Sequence, residues 1–190
     1  IDIAGEVKEV LLNGEPHPFD DDEDRVWVGG LPVGETITLE VRALARYSRS
    51  GEGLHRYTDP EDGEVYLYTQ FEPNDAHRAW PCVDQPDVKP EWTFHVIAPA
   101  GWVVSSNGVE TAVEAVDDSG ALRHDFTATR PLSSYITAIV AGPWAVVEGG
   151  TWSGGASDGG HAELELRLLC RRTLARYLDS EDVFEVTRAG

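Results

Sequence analysis

Val65-Tyr66-Leu67-Tyr68-Thr69-Gln70-Phe71-Glu72-Pro73 is the stretch on which the fold turns. Val65, Leu67, Thr69 and Phe71 alternate with Tyr66, Tyr68, Gln70 and Glu72, the period of two that marks a half-buried strand. Gln70 and Glu72 are therefore expected to point the same way. Pro73 removes a backbone donor and biases Glu72 toward extended geometry, so the strand should end there with its last carboxylate at a sheet edge or cleft. Downstream, Pro73, Pro81, Pro86 and Pro90 punctuate a segment that carries Asp75, Arg78, Cys82, Asp84 and Asp87. Such a segment is too proline-marked for regular structure and reads as an ordered, packed connection. A strand-end glutamate is ordinarily a solvated charge, and spacing alone gives Glu72 no more than that.

The same alternation extends to both sides. Upstream, Val7, Val10 and Leu12 are candidate core positions before Asn13-Gly14, a strong tight-turn signal. The acidic run from Asp20 to Asp24 lacks the glycine and terminal glutamate of a helix-loop-helix calcium site and reads as a solvated turn. Val26-Trp27-Val28 is a short strand, and Thr36 to Ala45 a longer one with Ile37, Leu39, Val41 and Ala43 on one face. His55 sits in a loop context where a hydrogen-bonding structural role is the expectation. Past the proline-marked loop, Trp92 to Pro99 is a strand with Trp92, Phe94 and Val96 inward. Trp102 to Ser106 is expected to return through Asn107-Gly108, a favoured hairpin turn. Strands over 109–116, 121–128 and 135–147, spaced by turn signals and free of crossover helices, predict a mainly β, antiparallel fold with the signature of a sandwich or a barrel. Gly149 to Gly160 is suited to a mobile loop, Ala162 to Leu169 to a last strand, and Thr173 to Arg188 to the start of a C-terminal helix. The division that follows is a β domain over 1–172 and a helical lead-out over 173–190.

A chain of 190 residues, 41% hydrophobic and 26% charged, has ordinary globular composition and is long enough for one good-sized core. With 15 basic and 34 acidic residues, the net charge of −19 repels phosphate backbones, so no nucleic-acid partner is expected. No apolar run is long enough to span a bilayer and no basic-then-apolar leader opens the chain, which predicts no membrane contact and a cytoplasmic location. Cys82 and Cys170 lack metal-ligand spacing and are expected to be reduced, buried thiols of a reducing compartment, a bond between them being left for the fold to decide. The chain contains no methionine, even at position 1, and is expected to be an excerpt of a longer product.

The string T-Q-F-E-P-x-D-A-x-R-x-x-P-C-x-D-x-P-D-x-K at 69–89 resembles the N-terminal domain of the aminopeptidase N family of zinc metallopeptidases. G-E-G-L-H-R-Y at 51–57 is similar to actinobacterial members, S-S-N-G at 105–108 and P-L-S-S-Y-I-T-A-I-V-A-G-P-W at 131–144 also resemble the family, and the likeness runs from about Thr36 to Glu185. The string departs from the usual pattern at His77, Trp80, Val83 and Gln85, none of which touches Gln70 or Glu72. The resemblance implies a saddle-like β-sandwich. It places Glu72 among the groups that hold the free amine of a peptide substrate, and Gln70 at the first side-chain pocket. It also implies zinc in the full-length parent and the parent's own catalytic domain as partner. The family's H-E-x-x-H and G-x-M-E-N strings are absent, and His17, His55, His77, His95, His124 and His161 pair with none of their number at helical ligand spacing. The piece by itself is thus expected to hold no catalytic zinc, to contribute no catalytic residue and to cut nothing. Arg78, Asp84 and Asp87 are expected to form ion pairs that pin the loop behind Glu72. The competing reading is a non-catalytic interaction module of a peptidase-like relative.

Overall fold

The computed structural model describes residues 1–155 and 160–189. In chain order its strands are β1 (Gly5–Leu12), β2 (Glu15–Pro16), β3 (Asp20–Asp22), β4 (Arg25–Trp27), β5 (Leu39–Ala45), β6 (Gly53–Thr58) and β7 (Val65–Gln70). They continue as β8 (His95–Pro99), β9 (Val103–Ser106), β10 (Glu110–Ala115), β11 (Ala121–Phe126), β12 (Ile139–Gly142), β13 (Ala145–Gly155) and β14 (His161–Cys170), and α1 (Ser180–Ala189) closes the series. The ladders between these strands are antiparallel, so the fold is mainly β, built from antiparallel sheets with one short C-terminal helix.

The first sheet has the order β2-β1-β5. Asn13 and Gly14, at φ 52° and 86°, make the tight turn that the Asn-Gly pair predicts. A register shift between Val7 and Glu9 brings Val10 onto the face of Val7, since a bulge moves every later side chain to the opposite face; Leu11, on the other face, is buried as well, and Leu12 is half-buried. Val7 and Val10 pack with Ile3 and Val26 against Leu39, Val41 and Ala43. The acidic run forms the β3–β4 hairpin, its residues exposed and Glu23 at φ 49° in the turn.

A four-stranded sheet, β6-β7-β12-β9, and a three-stranded one, β10-β11-β8, share the second core: Leu67, Val104 and Ala141 of the first meet Ala98 and Phe126 of the second. Asn107-Gly108 joins β9 to β10 and is not a hairpin turn, because the two strands lie in different sheets. Tertiary partners hold this crossing: Asn107 Nδ2 donates to the Ile136 carbonyl at 2.9 Å, and its Oδ1 accepts from Ala138 N–H at 2.6 Å. Strand β7 is covered on both faces at its start. Tyr66, expected on the open face, is fully buried with its ring 4.7 Å from that of Trp144, while Tyr68 is exposed.

Three expectations at the C-terminal end change. The stretch 135–147 divides into a helical turn at Ser134–Ile136, strand β12, and the start of β13. Residues Gly149 to Gly155, expected within a mobile loop, belong to β13, paired with β14 across an irregularity between Glu148 and Thr151; 156–159 of that expected loop lie outside the described residues. The expected helix from Thr173 is a 3₁₀ helix, Arg172–Tyr177, followed by α1. Leu178 between them is extended, and Asp179 supplies a cap, its Oδ1 accepting from Asp182 N–H at 3.4 Å.

Candidate substrate-facing site at the end of β7

Strand β7 ends at Gln70, and the backbone then buries Phe71 and turns away through a cis Glu72-Pro73 bond. Phe71 is the anchor of a small third core with Ala76 and Cys82, packed by Trp80, whose ring meets it edge-on at 4.9 Å. On the solvent side Gln70 and Glu72 stand together, both exposed: Gln70 Oε1 accepts the backbone N–H of Glu72 at 2.7 Å. That bond uses the amide's oxygen, and among the described residues its NH₂ has no hydrogen-bond partner. Among the described residues no hydrogen bond or ion pair engages the Glu72 carboxylate. Thr69, on the opposite face, ties the strand to β12 by accepting Ile139 N–H at 3.0 Å.

The loop after Glu72 is pinned, by partners that differ in part from the expected ones. Arg78 pairs with Asp75 at 2.6 Å and with Glu52 at 3.7 Å, and its side chain lies over Gly53, the cross-strand partner of Gln70. Asp84 turns to His77 and Ser134: one oxygen accepts His77 N–H at 3.1 Å and stands 2.8 Å from His77 Nδ1, and the other accepts the Ser134 hydroxyl at 2.5 Å. Asp87 is exposed and does not join these pairs. Sequence reasoning missed Asp2, His77 and Ser134. Asp2 exchanges backbone hydrogen bonds with Cys82 and accepts Asp84 N–H at 3.0 Å. Burial acts to raise the Asp2 carboxyl, but the Asp84 N–H and the Arg25 guanidinium outweigh it and hold the group below its usual range. No local signal marks a residue so far away in the chain; only the P-L-S-S string, which contains Ser134, carried a hint.

Cys82 and Cys170 are free thiols, Cys82 buried and Cys170 half-buried. Burial, aided by the nearby Asp84 and Asp2 carboxylates, pushes the Cys82 thiol up to about 12, so it stays protonated and unreactive at neutral pH. His55 has a structural role, its Nδ1 accepting Gly51 N–H at 3.0 Å. Among the described residues no three His, Cys, Asp or Glu side chains gather in a way that holds a metal ion. The donor set here does not fit the zinc that the resemblance implies for a parent enzyme. No helix among the described residues is long and apolar enough to cross a membrane.

Strand β7 thus stops at Gln70, two residues short of the expected Glu72, and leaves both residues exposed beside a pinned, proline-marked loop. Residues 20–136 match the Peptidase M1 N-terminal domain. The chain belongs to the peptidase M1 N-terminal domain family. Aminopeptidase N of Streptomyces lividans is 40% identical over 192 residues, covering 99% of this chain and 21% of that protein. Aminopeptidase N of Haemonchus contortus is 29% identical over 155 residues, covering 80% of this chain and 16% of that protein. This M1 N-terminal domain therefore spans about a fifth of the length of those relatives or less. The crystal structure of Legionella pneumophila aminopeptidase A in complex with aspartic acid superposes with a TM-score of 0.78 at 18% identity, over 97% of this chain and 21% of that one, which establishes the shared fold.

Proposed function

We propose that this M1 N-terminal domain is the substrate-recognition part of an aminopeptidase that removes N-terminal residues from peptides. In this reading Glu72 holds the free amine of the peptide and Gln70 borders the first side chain. The observation that carries it is the pair itself: two exposed polar residues at the end of β7, the Gln70 side chain fastened to the Glu72 backbone, with the acid unpaired among the described residues. An ammonium group and a carboxylate form a charge-assisted hydrogen bond that an internal peptide bond cannot offer, so such a group measures position from the chain terminus. Phe71 below and the Arg78–Asp75 pair beside it hold the acid's backbone still.

The cleavage itself belongs, in this proposal, to a catalytic domain of the longer parent that docks on this one and supplies zinc. Among the described residues no cluster of His, Cys, Asp or Glu side chains is placed to hold a metal ion. The two unpaired thiols support a reducing, cytoplasmic location. The experiment is Glu72→Ala in the full-length enzyme. Turnover of an aminoacyl reporter with a free amine should fall by about 1–3 kcal/mol of transition-state stabilisation, mostly through KM. Undiminished kcat/KM on that reporter would remove Glu72 from the mechanism.

A further inference from the structure

The carboxylate of Asp84 closes a ring of contacts around the end of β7. Only 4% of its side chain is exposed, and in that setting its bonds to His77 and Ser134 are strong and costly to break. His77 lies in the short helix Ala76–Arg78 that follows Glu72, and Ser134 begins the helical turn that leads into β12. Strand β12 pairs in turn with β7, Val140 opposite Tyr68. The ring thus runs from β7 through Glu72 to His77, across Asp84 to Ser134, and back along β12 to β7. Ser134 is 1% exposed, so water does not compete for its hydroxyl. Glu72, by contrast, is exposed, and its direction is set by the backbone on either side. Phe71 and the Gln70 amide hold the strand side, and the loop fastened by Asp84 holds the other.

We propose that Asp84, gripped by Ser134, is a positioning residue for Glu72. It does not meet the substrate; it keeps the loop closed so that the Glu72 carboxylate presents one orientation to the incoming amine. This rests on the recognition role given to Glu72 above. Loosening the ring leaves the acid in place but lets it spread over several orientations, which weakens binding of the amine and leaves the chemistry of the bound complex largely intact.

The test uses the full-length enzyme and a free-amine aminoacyl reporter, with Asp84→Asn, Ser134→Ala, Glu72→Ala and the double variant Glu72→Ala/Ser134→Ala. Asp84→Asn and Ser134→Ala are each expected to raise KM about three- to tenfold with kcat within about twofold of the parent enzyme. In the Glu72→Ala background, Ser134→Ala should add nothing further to KM, because the group it positions is gone. A general loss of fold would behave otherwise, lowering the active fraction and adding in full to Glu72→Ala. Unchanged KM in Ser134→Ala, or a fully additive effect, overturns the proposal, and if Asp84→Asn does not fold, Ser134→Ala alone and in the double variant decides the matter. Should Glu72→Ala itself leave KM where it was, the recognition role of Glu72 has failed and the positioning role falls with it, a result distinct from a failure of the ring alone.

Discussion

At Asp59 a carboxylate with 2% of its surface exposed collects the Thr173 hydroxyl at 2.6 Å, the Arg171 guanidinium at 2.8 Å and the Glu61 N–H at 2.9 Å. Bonds from Thr173 and Glu61, with the charge of Arg171, outweigh burial and hold this carboxyl below its usual 3.8. A group whose pKa is lower folded than unfolded adds stability that is complete above the unfolded value and is lost as pH falls through the folded one. Asp59→Asn should therefore lower Tm at neutral pH and flatten the decline of Tm below about pH 4, as read by thermal melts across that range. An equal Tm deficit at every pH would show that Asp59 acts through packing and not through charge. By comparison, the exposed Arg176–Glu61 pair should contribute about 0–1 kcal/mol. Asp59-Pro60-Glu61-Asp62-Gly63 is legible in sequence as a turn, and it is one. Its clamp on Thr173, 114 residues further along the chain, is not legible, because nothing local to either residue names the other.

Among the elements, turn chemistry holds at Asn13-Gly14 and misleads at Asn107-Gly108. The same dipeptide serves a hairpin in the first case and a crossing between sheets in the second. Glycine is needed at 108 for a steric reason: a β-carbon there would collide with the backbone oxygen of Thr127. Gly108→Ala should destabilise the domain by roughly 1–3 kcal/mol in urea unfolding, the scale of overpacking against atoms that cannot move aside. A change within about half a kcal/mol, the range of an ordinary surface substitution, would mean that the crossing relaxes freely. The glycines of β13 mislead in a related way. Composition suggests mobility, whereas Gly149 seats the ring of Phe184 from α1 and Gly154 lies against the Trp152 indole. Missing side chains here make room for neighbours.

Across the whole molecule the charge of −19 sets a condition on stability. Carboxylates crowd one another on a small surface, and self-repulsion of that kind weakens the compact state until salt screens it. Tm at neutral pH should rise by a few degrees, on the order of 3–5 °C, as sodium chloride increases from about 10 mM to about 500 mM. A Tm that falls with salt would show instead that local ion pairs such as Arg42–Glu9, 2.7 Å apart, dominate over the overall repulsion.

What the order of residues settled by itself was local: alternation made the strands, β7 gave out shortly before Pro73, and Gln70 and Glu72 were left exposed at its end. Only the tertiary structure decided which strands share a sheet, that Tyr66 is covered by Trp144, and that Asp84 reaches Ser134 to fasten the loop. The difference is physical. Backbone sterics and side-chain period act between near neighbours, whereas buried hydrogen bonds and shared cores join residues that the chain brings together only when it folds.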